Sequence, residues 1–170
     1  MATTPRETRA QRFDSLEQEA FLNLWRTYDC MRTIEQKLFG RYDLTPQQYN
    51  ALRLLRAARQ RRSGKWPGRL ATLDLAKQLV SKAPDITRLL DPLERRGLID
   101  RDRPADNRRV VCVGITEAGL ALLRELGEQV RACHTSQFGH LSEKELRDLI
   151  ALLRAARRPH EEPGSAWLDG

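Results

Sequence analysis

The stretch DITRLLDPLERRGLIDRDRPADNRRVVCVGITEAG, residues 85 to 119, changes its apolar period part-way along, and that change decides the fold. In its first part Ile86, Leu89, Leu90 and Leu93 fall at i, i+3, i+4 and i+7, the buried stripe of a helix that opens near Pro84 and ends at Gly97. Asp85, Thr87, Arg88, Asp91 and Arg95 take the opposite face. Pro92 sits inside this helix and removes the hydrogen bond to the Arg88 carbonyl, so a bend is expected there. After Gly97 the period falls to two: residues 98 to 103 and 109 to 115 read as paired strands, with Val111, Val113 and Ile115 on one face. The run PADNR between them consists of turn formers.

Upstream, residues 72 to 80 form a short helix with Leu73, Leu75, Ala76 and Leu79 as its apolar set, and Ser81 and Lys82 make the turn into the next helix. Two helices joined by a tight turn and followed directly by a hairpin make a winged helix-turn-helix, here over about residues 70 to 119. Ahead of it Thr45, Pro46 and Gln48 supply an N-cap, a first-turn proline and a capping-box partner for a helix bearing Tyr49, Leu52, Leu54 and Leu55. That helix gives way to a loop, RQRRSGKWPGR, over residues 59 to 69. Between Ser15 and Gly40 the residues Leu16, Ala20, Leu24, Tyr28, Met31, Ile34 and Leu38 mark one long amphipathic helix, with Ser15 and Gln18 as its capping box. Downstream, Thr116 caps a long helix with Leu120, Leu123, Leu126, Val130 and Cys133 on one side. Ser142 and Glu145 box a last helix that carries Leu146, Leu149, Ile150 and Leu153. The fold class is thus mainly α with a small β-hairpin.

The formal charge of +7, from 30 Lys and Arg against 23 Asp and Glu, suits a polyanionic partner without proving one. The charge is concentrated: Arg53, Arg56, Arg59, Arg61, Arg62, Lys65 and Arg69 fall in one run with no acid among them. No apolar run approaches the roughly 20 residues that cross a bilayer, and the opening MATTPRETRAQRF has no signal-peptide segment, so a cytoplasmic protein is expected. Three scattered cysteines, Cys30, Cys112 and Cys133, are read as reduced thiols. Cys133, His134 and His140 fit no zinc spacing, so neither metal nor cofactor is expected. No phosphate loop, HExxH or nucleophile elbow occurs in the sequence, which argues against an enzyme.

The pieces ITRLLDPLERRGLI (86–99), DNRR (106–109) and TEAG (116–119), in that order and spacing, resemble the reading helix, wing and fifth-helix opening of the MarR family of bacterial transcription regulators. The helical order from 15 to 157 resembles that family more weakly. One departure is in the wing, where the family's Asp-Arg-Arg is interrupted by Asn107, leaving open whether Asp106 or Asn107 takes the acid's place. The resemblance implies a repressor that binds a pseudo-palindromic operator as a homodimer and is released by a small aromatic or phenolic ligand. The long outer helices carry more apolar surface than a lone winged helix covers, and a two-fold site needs a partner helix roughly 34 Å away. The division that follows is an N-terminal arm (1–14), a helical dimerisation region (15–44 and 116–157), a winged helix-turn-helix domain (45–115, reading helix about 84–97, wing about 98–115) and a flexible tail (158–170).

Within this frame, Thr87 and Arg88 on the first turn of the reading helix are the expected base readers, Arg88 by bidentate bonds to guanine. Ser81 and Lys82 at the turn are expected to hold phosphates, and Asp85 and Asp91 either orient arginines or are simply solvated. Arg108, and after it Arg109, is placed to enter the minor groove from the wing tip, while Arg101 and Arg103 brace that tip or reach the backbone. The basic run, Arg62 and Lys65 in particular, supplies sequence-blind phosphate anchors, though not all of it can touch DNA. For the effector, Trp25, Arg26, Tyr49 and Arg53 are candidate pocket residues, although Trp25 and Tyr49 read more readily as core aromatics. The alternative to a ligand is thiol redox sensing through Cys30, as in relatives with a first-helix cysteine.

Overall fold

Ser15 starts the first helix, α1 (Leu16–Gly40), by accepting from the Gln18 amide at 3.2 Å. The expected box is only half formed, because the Gln18 side chain accepts from Asp14 N at 2.7 Å instead of from Ser15. The computed structural model describes residues 13–61, 65–81, 85–105, 107–163 and 165–167. In α2 (Pro46–Arg61) the box is complete: Thr45 Oγ1 accepts from Gln48 N at 3.1 Å and Gln48 Oε1 accepts from Thr45 N at 2.9 Å. This helix continues to Arg61, past the expected loop start, since residues 57 to 61 are good helix formers without glycine or proline.

A two-residue strand that carries no readable period, β1 (Leu70–Ala71), comes next and leads directly into α3 (Thr72–Gln78). Then follow α4 (Ile86–Arg95), the helix expected to read bases, β2 (Ile99–Asp102), β3 (Cys112–Ile115), α5 (Glu117–Phe138) and α6 (Glu143–Arg157). The sheet order is β1-β3-β2, antiparallel throughout, with Leu70 opposite Val113 and Asp100 opposite Gly114. The expected helix opening at Pro84 lies outside the described residues; Asp85 is the cap, Ile86 the first helical residue, and the helix runs on through Pro92. Both wing strands are shorter than expected, so Arg103 and residues 109 to 111 belong to the connection. The tail begins with a 3-10 turn, Arg158–His160, and Trp167 returns to place its ring 5.4 Å from the Arg157 guanidinium.

One core runs from the end of α1 to the middle of α5. Leu52 and Leu55 of α2, Leu75 of α3, Leu90 and Leu93 of α4, Val113 of β3 and Leu126 of α5 are sealed from solvent in it. Leu73, expected among the apolar set of α3, is instead exposed. No residue of α6 is buried, and Leu152 is 69% exposed.

Thr116 fastens the corner where α4, the sheet and α5 meet. Its hydroxyl donates to Gly97 O at 2.6 Å and accepts from Gly119 N at 3.1 Å, while its backbone N–H donates to Leu98 O at 3.1 Å. Gly97 has φ +65°, the left-handed turn that ends α4. Gly119 is needed for a different reason: a Cβ there would run into the Leu98 carbonyl and come within 2.7 Å of Ile115 Cγ1. Gly119→Ala is therefore expected to lower the free energy of urea unfolding by roughly 1–3 kcal/mol, the usual effect of overpacking, whereas Gly127→Ala, where a Cβ meets nothing, leaves it unchanged or raises it.

Candidate nucleic-acid interface

The first turn of α4 is set by Asp85, whose Oδ1 accepts from Thr87 N at 3.0 Å and Arg88 N at 3.1 Å. The carboxylate thus lies at the positive end of the helix, satisfies two N–H groups, and fixes the backbone of the two expected base readers. Both Thr87 and Arg88 are exposed. Asp91 does orient an arginine: its Oδ1 lies 2.8 Å from Arg101 Nη2, and Glu94 Oε2 lies 3.3 Å from Arg101 Nη1. Arg101 Nη2 also donates to Thr87 O at 3.4 Å. Arg101, only 21% exposed at its side chain, is therefore a bracket between β2 and the reading helix, not a free cation for phosphate.

The wing is organised by its own backbone. Asn107 Oδ1 accepts from Arg109 N at 3.2 Å, Asn107 N donates to Pro104 O at 3.0 Å, and Val110 N donates to Asn107 O at 3.1 Å. Asn107 shapes the turn instead of bracing an arginine side chain, and Asp106 lies outside the described residues. Arg103 Nη1 donates to Arg108 O at 3.1 Å, so Arg103 braces the tip, while Arg108 and Arg109 are exposed. Thr87, Arg101, Arg103 and Arg109 come together around a cleft of about 810 Å³ between α4 and the wing.

Ser81 is exposed at the turn, and its carbonyl accepts from Gln47 Nε2 at 3.4 Å. Lys82 and Arg62 lie outside the described residues; Lys65 is exposed, with its ammonium 4.9 Å from the Trp66 ring centroid. Two members of the basic run are not available to phosphate. Arg59 donates to Ile115 O at 3.1 Å and pairs with Glu117, and Arg69 pairs with Asp100 at 2.5 Å. Three positioning residues went unread in the sequence. Besides Gln47, the cap residue Gln48 donates to Leu89 O at 3.4 Å, and Arg96 donates to the carbonyls of Asp43 at 2.7 Å and Tyr42 at 3.0 Å. Of these, only Gln48 carried a signal, its capping-box position.

The MarR family model matches residues 44–111, from the start of α2 to the wing. A MarR transcription factor from Planctomyces limnophilus, known as a crystal structure, is 51% identical over 85% of this chain and 99% of that one, with a TM-score of 0.63. The chain belongs to the MarR family. Proteins of this family are DNA-binding transcription regulators and not enzymes. BpsR of Bordetella bronchiseptica, whose DNA binding is regulated by 6-hydroxynicotinic acid, is 25% identical over 84% of this chain and 95% of its own, with a TM-score of 0.68. The HTH-type transcriptional regulator FarR of Neisseria gonorrhoeae is 29% identical over 109 residues, 64% of this chain and 68% of that protein.

In this MarR chain the four candidate effector residues divide between two surroundings. Tyr49 stacks on Phe39 with centroids 4.5 Å apart, and burial raises its hydroxyl pKa against the pull of Arg53 and Arg56. Trp25 is the opposite case, 61% exposed beside Phe21 on α1 and so not a core aromatic of the single chain. Arg26 and Arg53 are exposed, the former 3.9 Å from Asp29. Cys30 is exposed, whereas Cys112 and Cys133 are buried, and burial with Glu35 nearby raises the Cys133 thiol. Among the described residues no group of three or more His, Cys, Asp or Glu is placed to hold a metal, and no helix is long and apolar enough to cross a membrane.

Arg101→Met keeps the stem and removes both ion pairs. It is expected to lower unfolding free energy by about 1 kcal/mol in urea titrations and to weaken binding to all duplexes alike, since Arg101 positions α4 without reading a base.

Proposed function

We propose that the protein is a cytoplasmic repressor that binds a pseudo-palindromic operator as a homodimer and leaves it when a small aromatic or phenolic ligand binds. The observation that carries this reading is the exposed first turn of α4, with Thr87 and Arg88 free of side-chain partners among the described residues, bracketed by Arg101 to a wing with exposed Arg108 and Arg109. In this reading Thr87 and Arg88 meet base edges in the major groove, Arg108 or Arg109 enters the minor groove, and Ser81, Lys82, Arg62 and Lys65 hold phosphates. Arg101 and Arg103 act through the helix and wing they brace.

Support for the dimer comes from two helices that leave large apolar side chains in water. Phe21, Leu24, Trp25 and Tyr28 of α1 and Ile150, Leu152 and Leu153 of α6 are all exposed in the single chain, more large apolar side chains on two helices than scattered surface residues account for. Residues 15–44 and 116–157 form the dimerisation region, and 45–115 the DNA-binding domain. The effector is argued from BpsR, and Trp25, Arg26, Tyr49 and Arg53 are its proposed neighbours where the two regions meet. Exposure of Cys30 on α1 favours thiol sensing as the second reading.

Binding to the DNA flanking the gene, measured against salt, tests the first part. Arg88→Ala is expected to weaken operator binding by about 1–3 kcal/mol and to relax preference at one base pair, whereas Lys65→Ala weakens all duplexes alike and lowers the salt slope by roughly one. Unchanged base preference in Arg88→Ala overturns the assignment of the reading helix. Sedimentation is expected to give twice the 19.6 kDa chain mass, and Trp25→Asp to shift it toward that mass with loss of operator binding. Phenolic acids added to Cys30→Ser separate the two effector readings, for release that persists there is ligand release.

A further inference from the structure

The two faces of β2 serve different ends. Arg101 turns to α4, so Asp100, its neighbour in the strand, turns to the opposite face of the sheet. Across the ladder from Asp100 stands Gly114, and the missing side chain there lets Arg69 lie against the sheet. A Cβ at residue 114 would come within 2.7 Å of Asp100 Oδ1 and 3.2 Å of Arg69 Cζ and Nη1. Arg69 Nη2 meets Asp100 Oδ2 at 2.5 Å, but Nη1, shielded from water, finds no acceptor among the described residues.

Arg69 lines a cleft of about 1220 Å³ between the end of α2, this outer face of the sheet and the start of α5, together with Arg56, Arg59 and Arg124. Two of the four guanidiniums are matched: Arg69 by Asp100 and Arg59 by Glu117. Arg56 and Arg124 make no hydrogen bond or ion pair with a described residue, which leaves the cleft two positive charges in excess. Ile115 and Leu120 add apolar surface to its lining.

We infer that this cleft is a binding site for a small organic dianion, held by its phosphate or carboxylate oxygens on Arg56 and Arg124 with its apolar part on Ile115 and Leu120. Guanidinium forks recognise such oxyanions two oxygens at a time. The site is separate from the DNA-facing surface, being on the other side of the sheet from α4, and its existence does not rest on the operator reading.

Calorimetric titration of the full chain at fixed ionic strength tests it, with inorganic phosphate in one arm and citrate in the other to distinguish the two oxyanion sources. Saturable binding of either probe near one site per chain is expected, weakened roughly tenfold in each of Arg56→Gln and Arg124→Gln, which break no hydrogen bond or ion pair with a described residue. Arg88→Ala on the reading helix should leave that binding intact. The proposal is overturned by the absence of saturable binding in both arms, by binding indifferent to Arg56→Gln and Arg124→Gln, or by binding lost in Arg88→Ala.

Discussion

The ion pairs from Arg101 to Asp91 and Glu94 make the reading helix and the wing one body. Two carboxylates on a helix meant for a polyanion would repel phosphate if left free. Here they are turned inward on a half-buried guanidinium carried by the neighbouring strand, and the face of α4 that remains open presents Thr87, Arg88 and Arg95. The acids thereby orient the structure without opposing the ligand. Arg103 extends the arrangement by one step, from the end of β2 to the carbonyl of Arg108 at the tip.

A ten-residue helix is too short to hold itself in water, so its position is imposed at both ends. Asp85 caps the start, Gly97 and Thr116 pin the finish to the opening of α5, and Arg96 reaches two carbonyls just after α1. Gln47 and Gln48, in the first turn of α2, hold Ser81 and Leu89 on either side of the turn region. The end of α1 and the start of α5 therefore each have a short mechanical route to Thr87 and Arg88. Because Gly119 lets α5 touch the Leu98 backbone directly, a tilt of α5 cannot be absorbed by a flexible side chain at that corner.

Helix order, caps and the change of period at Gly97 were legible because each rests on local chemistry: Thr116 and the Ser142–Glu145 box form as the spacing predicts. What depends on residues far apart was not. The strand at Leu70–Ala71 exists only through its pairing with β3, and two residues show no alternation. Arg59, Arg69 and Arg101 look the same in sequence as Arg88 and Arg108, yet the first three are fixed by carboxylates or carbonyls on other elements, up to 58 residues away. The family motif of the wing was readable, but the part played by Asn107 needed the turn geometry that surrounds it.

That division among the arginines bears on what the charge of +7 means. Charge invites a reading in which every basic residue is a phosphate anchor, and on that reading the run from Arg53 to Arg69 would be the strongest DNA-binding segment of the chain. In the folded protein Arg59 holds the sheet to α2 and α5, Arg69 holds β2 to the segment before β1, Arg96 and Arg101 hold α4, and Arg103 holds the tip. A guanidinium suits such work because its planar fork serves two or three acceptors at once, which an ammonium cannot do from one direction. In the proposed reading the cations left for a duplex are therefore fewer than the composition suggests, at the first turn of α4 and the turn before it, at the wing tip and in the loop of Arg62 and Lys65, and counterion release on binding follows their number and not the net charge of the chain.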